Sequence, residues 1–179
     1  AEHRTGDHGH DTQPAPDQGG DLAAQEGGTP DAKAAEEGGT PDAVTPDALS
    51  LQTVGDGVYL VGGSGTYAMF VEMDEFVVAI GGTAGIPDRI AELRKQVPSK
   101  PIRYGVLTHH HSDHTLGVPA YAEEGATIVA AQAHESVIRS ALGDEATATF
   151  EFVKDTYVIT DGTRRVELYD IGPTPHAEH

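Results

Sequence analysis

The chain contains no cysteine. No disulfide can hold it together, and no thiolate can serve as nucleophile or metal ligand, so any bound metal must be held by His, Asp or Glu. The lack of cysteine does not decide the compartment, since an exported protein need not carry disulfides. Positive charge is also scarce: 11 Lys and Arg stand against 29 Asp and Glu, a formal net charge of −18. Like charges repel, which argues against any general affinity for nucleic-acid backbones or anionic membranes. So acidic a composition suits solubility and is also found in proteins of high-salt habitats. No apolar run approaches the roughly 20 residues that cross a bilayer, and no signal peptide is visible. The chain begins at Ala1 rather than Met, which leans weakly toward a periplasmic or secreted protein whose leader has been removed; an abbreviated sequence is the other reading.

Large apolar side chains are nearly missing from residues 1–48, where Gly, Pro, Asp, Glu and Ala dominate and GGTPDA occurs at Gly27–Ala32 and again at Gly38–Ala43. Such a segment cannot bury enough apolar surface to offset its ordering entropy. It reads as a disordered acidic tail, with His3, His8 and His10 as solvated histidines. Residues 49–179 read as one domain. Strands are expected at Val58–Val61, Tyr67–Met73 and Phe76–Ile80, the last two joined by a turn at Asp74-Glu75. Ile86, Ile90, Leu93 and Val97 recur at helical spacing and predict a helix over 86–97, stopped by Pro98. A buried strand follows at Ile102–Leu107. Then come a helix at Val118–Glu124 ended by Gly125, a strand at Thr127–Ala130, a helix at Ala133–Leu142, an irregular stretch, and a hairpin of Tyr157–Ile159 with Val166–Ile171. The order implies an α/β fold with mixed sheets.

The chemistry sits in Thr108-His-His-His-Ser-Asp-His114, directly after a strand. Imidazole and carboxylate suit zinc, and iron or manganese in some sites. Alternate positions of a loop can point the same way, so His109 and His111 can converge on one ion while Asp113 and His114 turn toward a neighbouring one. Two ions can activate a water molecule and polarise the carbonyl or phosphoryl oxygen it attacks, with no Ser or Cys nucleophile.

His109-x-His111-x-Asp113-His114 after a buried strand resembles the H-x-H-x-D-H signature of the metallo-β-lactamase superfamily, and the surrounding order of elements agrees from roughly Leu49 to His179. The resemblance implies a four-layer αββα sandwich, of which this chain would supply roughly the first half. It implies that His109 and His111 bind a first zinc, and that Asp113, the residue on which catalysis would turn, binds a second together with His114. It also implies a third histidine for the first ion after a later strand. His176, in Gly172-Pro-Thr-Pro-His176, fits that place; His179 reads as a non-ligating terminal residue. His110, at a variable position of the motif, should face away from the metals.

Two departures from the family pattern stand out. The strand ending at Ile80 normally runs into an acidic residue, but here Gly81-Gly82 follows. That either loosens support for the ligands or lets the backbone pass close to them. The bridging Asp and final His of the second site are expected beyond His176. The leading expectation is a di-zinc hydrolase of ester, thioester, lactone or lactam-type small molecules. The other is an inactive or single-metal protein that needs a complementing chain, or associates with a second copy of itself. A flavodiiron-type redox enzyme shares the fold but wants a different ligand set and a flavin domain.

Overall fold

The computed structural model describes residues 48–63, 65–143 and 147–177. The tail expected over 1–48 (Ala48 apart), with His3, His8 and His10, lies outside the described residues, as does His179.

Among the described residues the strands form two sheets. The larger runs β1 (Ser50–Gly55), β2 (Val58–Gly63), β3 (Thr66–Glu72), β4 (Val77–Ile80), β5 (Ile102–Val106), β6 (Thr127–Ala131) and β7 (Thr149–Val153), paired in chain order. The β1–β4 meander is antiparallel; β4 to β7 pair parallel through helical crossovers. The smaller sheet is the antiparallel hairpin of β8 (Thr156–Thr160) and β9 (Arg165–Tyr169). The helices are α1 (Ile86–Leu93), α2 (Ser112–Thr115), α3 (Val118–Glu123) and α4 (Glu135–Leu142), the last preceded by a 3₁₀ turn at Gln132–His134.

Each face of the large sheet has its own core. On one, Phe70, Ala79, Ile102 and Ile128 pack with α1, α3 and α4 through Ile86, Ile90, Leu93, Tyr121 and Ile138. Each fully buried aliphatic side chain contributes about 1.5–3 kcal/mol. On the other, Val71, Val78, Val106 and Val129 meet Ile159 of β8, with Val166 and Leu168 of β9 packed against them. The layers run helices, sheet, sheet, as in the metallo-β-lactamase-type sandwich. Asp161 secures the hairpin: its carboxylate accepts the backbone N–H of Arg164 at 2.8 Å and, across the sheets, that of Asp74 at 2.7 Å. Those bonds, the Arg164 one first, hold its carboxyl well below the usual range.

Some expected boundaries move. The helix expected over 86–97 ends at Leu93 and loosens into a turn through Gln96, although Val97 is still buried. The helix expected from Ala133 starts at Glu135, with His134 in the preceding turn. Two strands had no counterpart. β1 is mostly exposed, so it shows no apolar alternation. β7 occupies the end of the stretch read as irregular; its Phe150 and Phe152 share one face of the sheet, with parallel stacked rings.

Candidate metal centre

Parallel strands place their carboxyl ends along one edge, and loops leaving that edge build sites. β4 and β5 end side by side, Ile80 opposite Val106. From β5 the chain continues through Leu107 and Thr108 into the histidine run. His111 is the last extended residue (φ −63°, ψ 148°), and its carbonyl accepts the N–H of His114 at 2.9 Å to start α2. His109 and His111 therefore lie in the loop before α2, and Asp113 and His114 on its first turn.

His176 arrives from the other sheet. After β9, Gly172 takes φ +72° and its N–H donates to Asp170 Oδ1 at 2.8 Å, reversing the chain. A tight turn then fixes the segment: the N–H of Thr174 donates to the Ala177 carbonyl at 2.7 Å, and the N–H of Ala177 donates to Thr174 Oγ1 at 3.1 Å.

These two segments bring His109, His111 and His176 together. One ligand atom from each lies within 4.8 Å of the others. The ring centres are 4.7 Å (109–111), 5.0 Å (109–176) and 4.8 Å (111–176) apart. His109 Nε2 is buried and has no hydrogen-bond partner. An imidazole nitrogen sealed from water without a partner is costly, and a cation between the three rings would satisfy it. Burial first, then the neighbouring His114, His111 and His176, push the pKa of His109 down to about 4. It is thus neutral at physiological pH, the form that ligates. The residues fit a zinc-like ion bound by three imidazoles with an open position.

Asp113 and His114 lie beside this cluster. The His114 ring lies against His109, tilted at 44° with ring centres 3.9 Å apart, and its Nε2 is 3.4 Å from Asp113 Oδ2. The Asp113 side chain is largely exposed, at 68%. The ring of His110 lies 6.5 Å from that of His109, 4.8 Å from that of His111 and 5.0 Å from that of His134, centre to centre.

One residue not singled out in the sequence is Thr108. Its Oγ1 is 3.1 Å from Nδ1 of both His109 and His114. A hydroxyl has two acceptor sites. Both Nδ1–H groups can therefore donate to it, leaving both Nε2 atoms bare for metal, the usual role of a group behind metal-binding histidines. Only its place beside His109 could have signalled this.

The glycine pair resolves toward close approach. The N–H of Gly117 donates to the Gly82 carbonyl at 2.7 Å, and a Cβ on Gly82 would lie 1.8 Å from the carbonyl oxygen of His114. An acidic side chain has no room there. The Tyr121 hydroxyl donates to the Gly81 carbonyl, so buried backbone contacts hold this loop. Alongside the centre runs a cleft of about 420 Å³ between the two sheets, walled by Val106, Val129, His134, Leu168, Ile171 and His176 among others.

Comparison with known proteins agrees with this geometry. No curated protein matches the chain in sequence. Similar solved structures include a metallo-β-lactamase from Pontibacter korlensis (20% identity, TM-score 0.56, covering 70% of this chain and 61% of that one). Another is the FIM-1 metallo-β-lactamase from Pseudomonas aeruginosa in its mono-zinc form (22%, 0.54, 70% and 59%). A third is a subclass B3 metallo-β-lactamase isolated from a soil metagenome library (22%, 0.59, 74% and 56%). At these identities the likeness is one of fold, and the chain spans 56–61% of the length of these structures. The family model of the metallo-β-lactamase superfamily matches residues 62–178, a span that holds the whole histidine cluster, and the chain belongs to that superfamily.

Proposed function

We propose that this chain is a metal-dependent hydrolase acting on small molecules with an ester, thioester, lactone or lactam-type bond, with zinc as its cation. The observation that carries this is the convergence of His109, His111 and His176, from two different sheets, around the orphaned His109 Nε2. A bound zinc ion supplies Lewis acidity, lowering the pKa of water toward neutrality and polarising the substrate carbonyl. The chain's own residues do the rest. Thr108 orients His109 and His114; Asp113 and His114 offer donors for a second cation; the cleft between the sheets takes the apolar part of the substrate. The β-lactamase titles of the similar structures make β-lactams one class to try, with no preference over the others. An exported location, and association with a second copy or a complementing chain, belong to the same proposal and rest on sequence alone.

A single-ion binding protein is the second reading. Its support is the exposure of Asp113, which lies outside the converging cluster. Metal content of the purified chain, measured with hydrolysis of a chromogenic ester, thioester, lactone and β-lactam panel, separates the two. The hydrolase reading expects zinc-dependent turnover that chelation abolishes and His109→Ala removes. Zinc bound without turnover on any class would favour the second reading, and failure to bind zinc would sink both.

A further inference from the structure

The two most exposed large apolar side chains among the described residues are Ile171, at 80%, and Tyr169, at 62%. Both line the cleft between the sheets, on the stretch that leads from β9 to His176. Deeper in, the wall is continuous with the buried core: Val106, Val129 and Val153 of the large sheet, with Leu168 of β9 packed against them. Exposed apolar side chains gathered at the lip of an apolar cleft mark a place where an apolar group docks. At about 420 Å³ the cleft suits a chain or ring of a small molecule. His109 and His176 in its wall put the reacting bond at one end.

Charge decides which groups can enter. Among the described residues the wall contains two carboxylates, Glu167 and Asp170, and no Lys or Arg. Arg165 is held by Glu167, and five more Lys and Arg side chains pair with carboxylates outside the cleft. Asp170 accepts a neutral donor, the N–H of Gly172. An anionic group entering here would shed water against apolar walls and meet carboxylate oxygens, with no guanidinium or ammonium in the wall to replace that water. An uncharged apolar group meets neither cost and gains by burial.

We propose that the cleft admits an uncharged apolar chain or ring and turns away anionic groups. The substrate is then a neutral ester or lactone, in preference to a β-lactam bearing a ring carboxylate or a thioester of an acidic carrier. A cation at the three-histidine centre would attract anions of every kind; the cleft adds discrimination away from that centre. This names the substrate class of the hydrolase reading and rests on that reading for the reaction. The selection by charge is a property of the cleft, and binding alone reads it.

The test uses two probes with one aromatic skeleton: N-phenyl-1-naphthylamine, which is uncharged, and 8-anilino-1-naphthalenesulfonate, which carries a sulfonate. Each is titrated by fluorescence into the full chain with zinc present, at about pH 8, above the ordinary histidine range. Wild type should bind the uncharged probe about tenfold or more tightly than the sulfonate. Ile171→Lys places an ammonium at the exposed lip, and Ile171→Gln removes the same apolar contact without the charge. The sulfonate should bind the Lys variant about fivefold more tightly than the Gln variant, while the uncharged probe binds both alike. Equal affinity of wild type for the two probes, or a sulfonate that does not distinguish Lys from Gln, would overturn the proposal. Turnover is the second readout. The kcat/KM should be about tenfold or more higher for the 4-nitrophenyl ester of butyric acid than for the half-ester of glutaric acid, whose acyl chain ends in a carboxylate; an equal or reversed preference would also overturn it. Absence of turnover on every ester, thioester, lactone and β-lactam, with the probe result intact, would sink the hydrolase reading and leave the charge selection standing.

Discussion

Replacing Thr108 by Val removes one hydroxyl and keeps the shape of the side chain. Its Oγ1 is 3.1 Å from Nδ1 of His109 and of His114, so two hydrogen bonds are lost together. Each contributes about 0.5–1.5 kcal/mol net, and the exposure of Thr108 places them in the lower part of that range. Only the bond to His109 acts on the three-histidine centre, so about 0.5–1 kcal/mol is lost there, about a 2- to 5-fold weaker zinc affinity, just below the 10- to 100-fold range for groups behind metal-binding histidines. Without the acceptor the two rings can also flip or take the other tautomer, presenting N–H rather than a lone pair to the cation. The assay is competition for zinc against a chromophoric chelator, with Thr108→Ser as the control that keeps the oxygen. Val should bind more weakly, while Ser should lie close to wild type. If Val binds zinc as wild type does, or Ser falls as far as Val, the hydroxyl does not orient these ligands.

Gly82→Ala forces its Cβ against the His114 carbonyl oxygen at 1.8 Å and against Leu107 Cδ2 at 2.7 Å. It should cost about 1–3 kcal/mol of stability and displace α2, seen as a lower Tm with weaker metal binding; a neutral substitution would mean that the α2 turn gives way freely. Glu72 accepts from Lys100 Nζ at 2.8 Å and from the Tyr59 hydroxyl at 2.9 Å, and these bonds, the Lys100 one first, hold its carboxyl below the usual range. Its contribution is therefore full above the unfolded value near 4.5 and lost as pH falls through the lower folded value. Lys100→Met should cost roughly 1 kcal/mol at pH 7 in denaturant melts and flatten the fall in stability below pH 4.5; an unchanged acid limb would refute the assignment.

How far the chain could be read in advance differs from element to element. α1 announced itself because Ile86, Ile90 and Leu93 face the core, but the same spacing carried the expected helix on to Val97, which stays buried in a turn that is no longer helical. β1 left no trace, since an edge strand with one half-buried and five exposed residues needs no apolar alternation. The histidine run His109–His114 stood out by its density and its place after a buried strand, and the structure brings His109 and His111 of it together with His176. His176 needed the family pattern, because only the pairing of β8 with β9 and the turn at Gly172 bring it across. Thr108 was not legible as a residue of the site, because it acts through two ring nitrogens of its neighbours.

The three-histidine cluster also draws on both sheets, and His111 and His176 lie roughly 65 residues apart along a chain without cysteine. A cation held between them would act as a reversible cross-link that closes this long loop. Constraining a loop of that length restricts the unfolded ensemble by an amount on the order of 4 kcal/mol in the chain-entropy account of covalent cross-links. Unlike a disulfide, such a link would be indifferent to the redox state of its surroundings and would respond to the supply of metal, so the hold between the β8–β9 hairpin and the large sheet would follow cation availability.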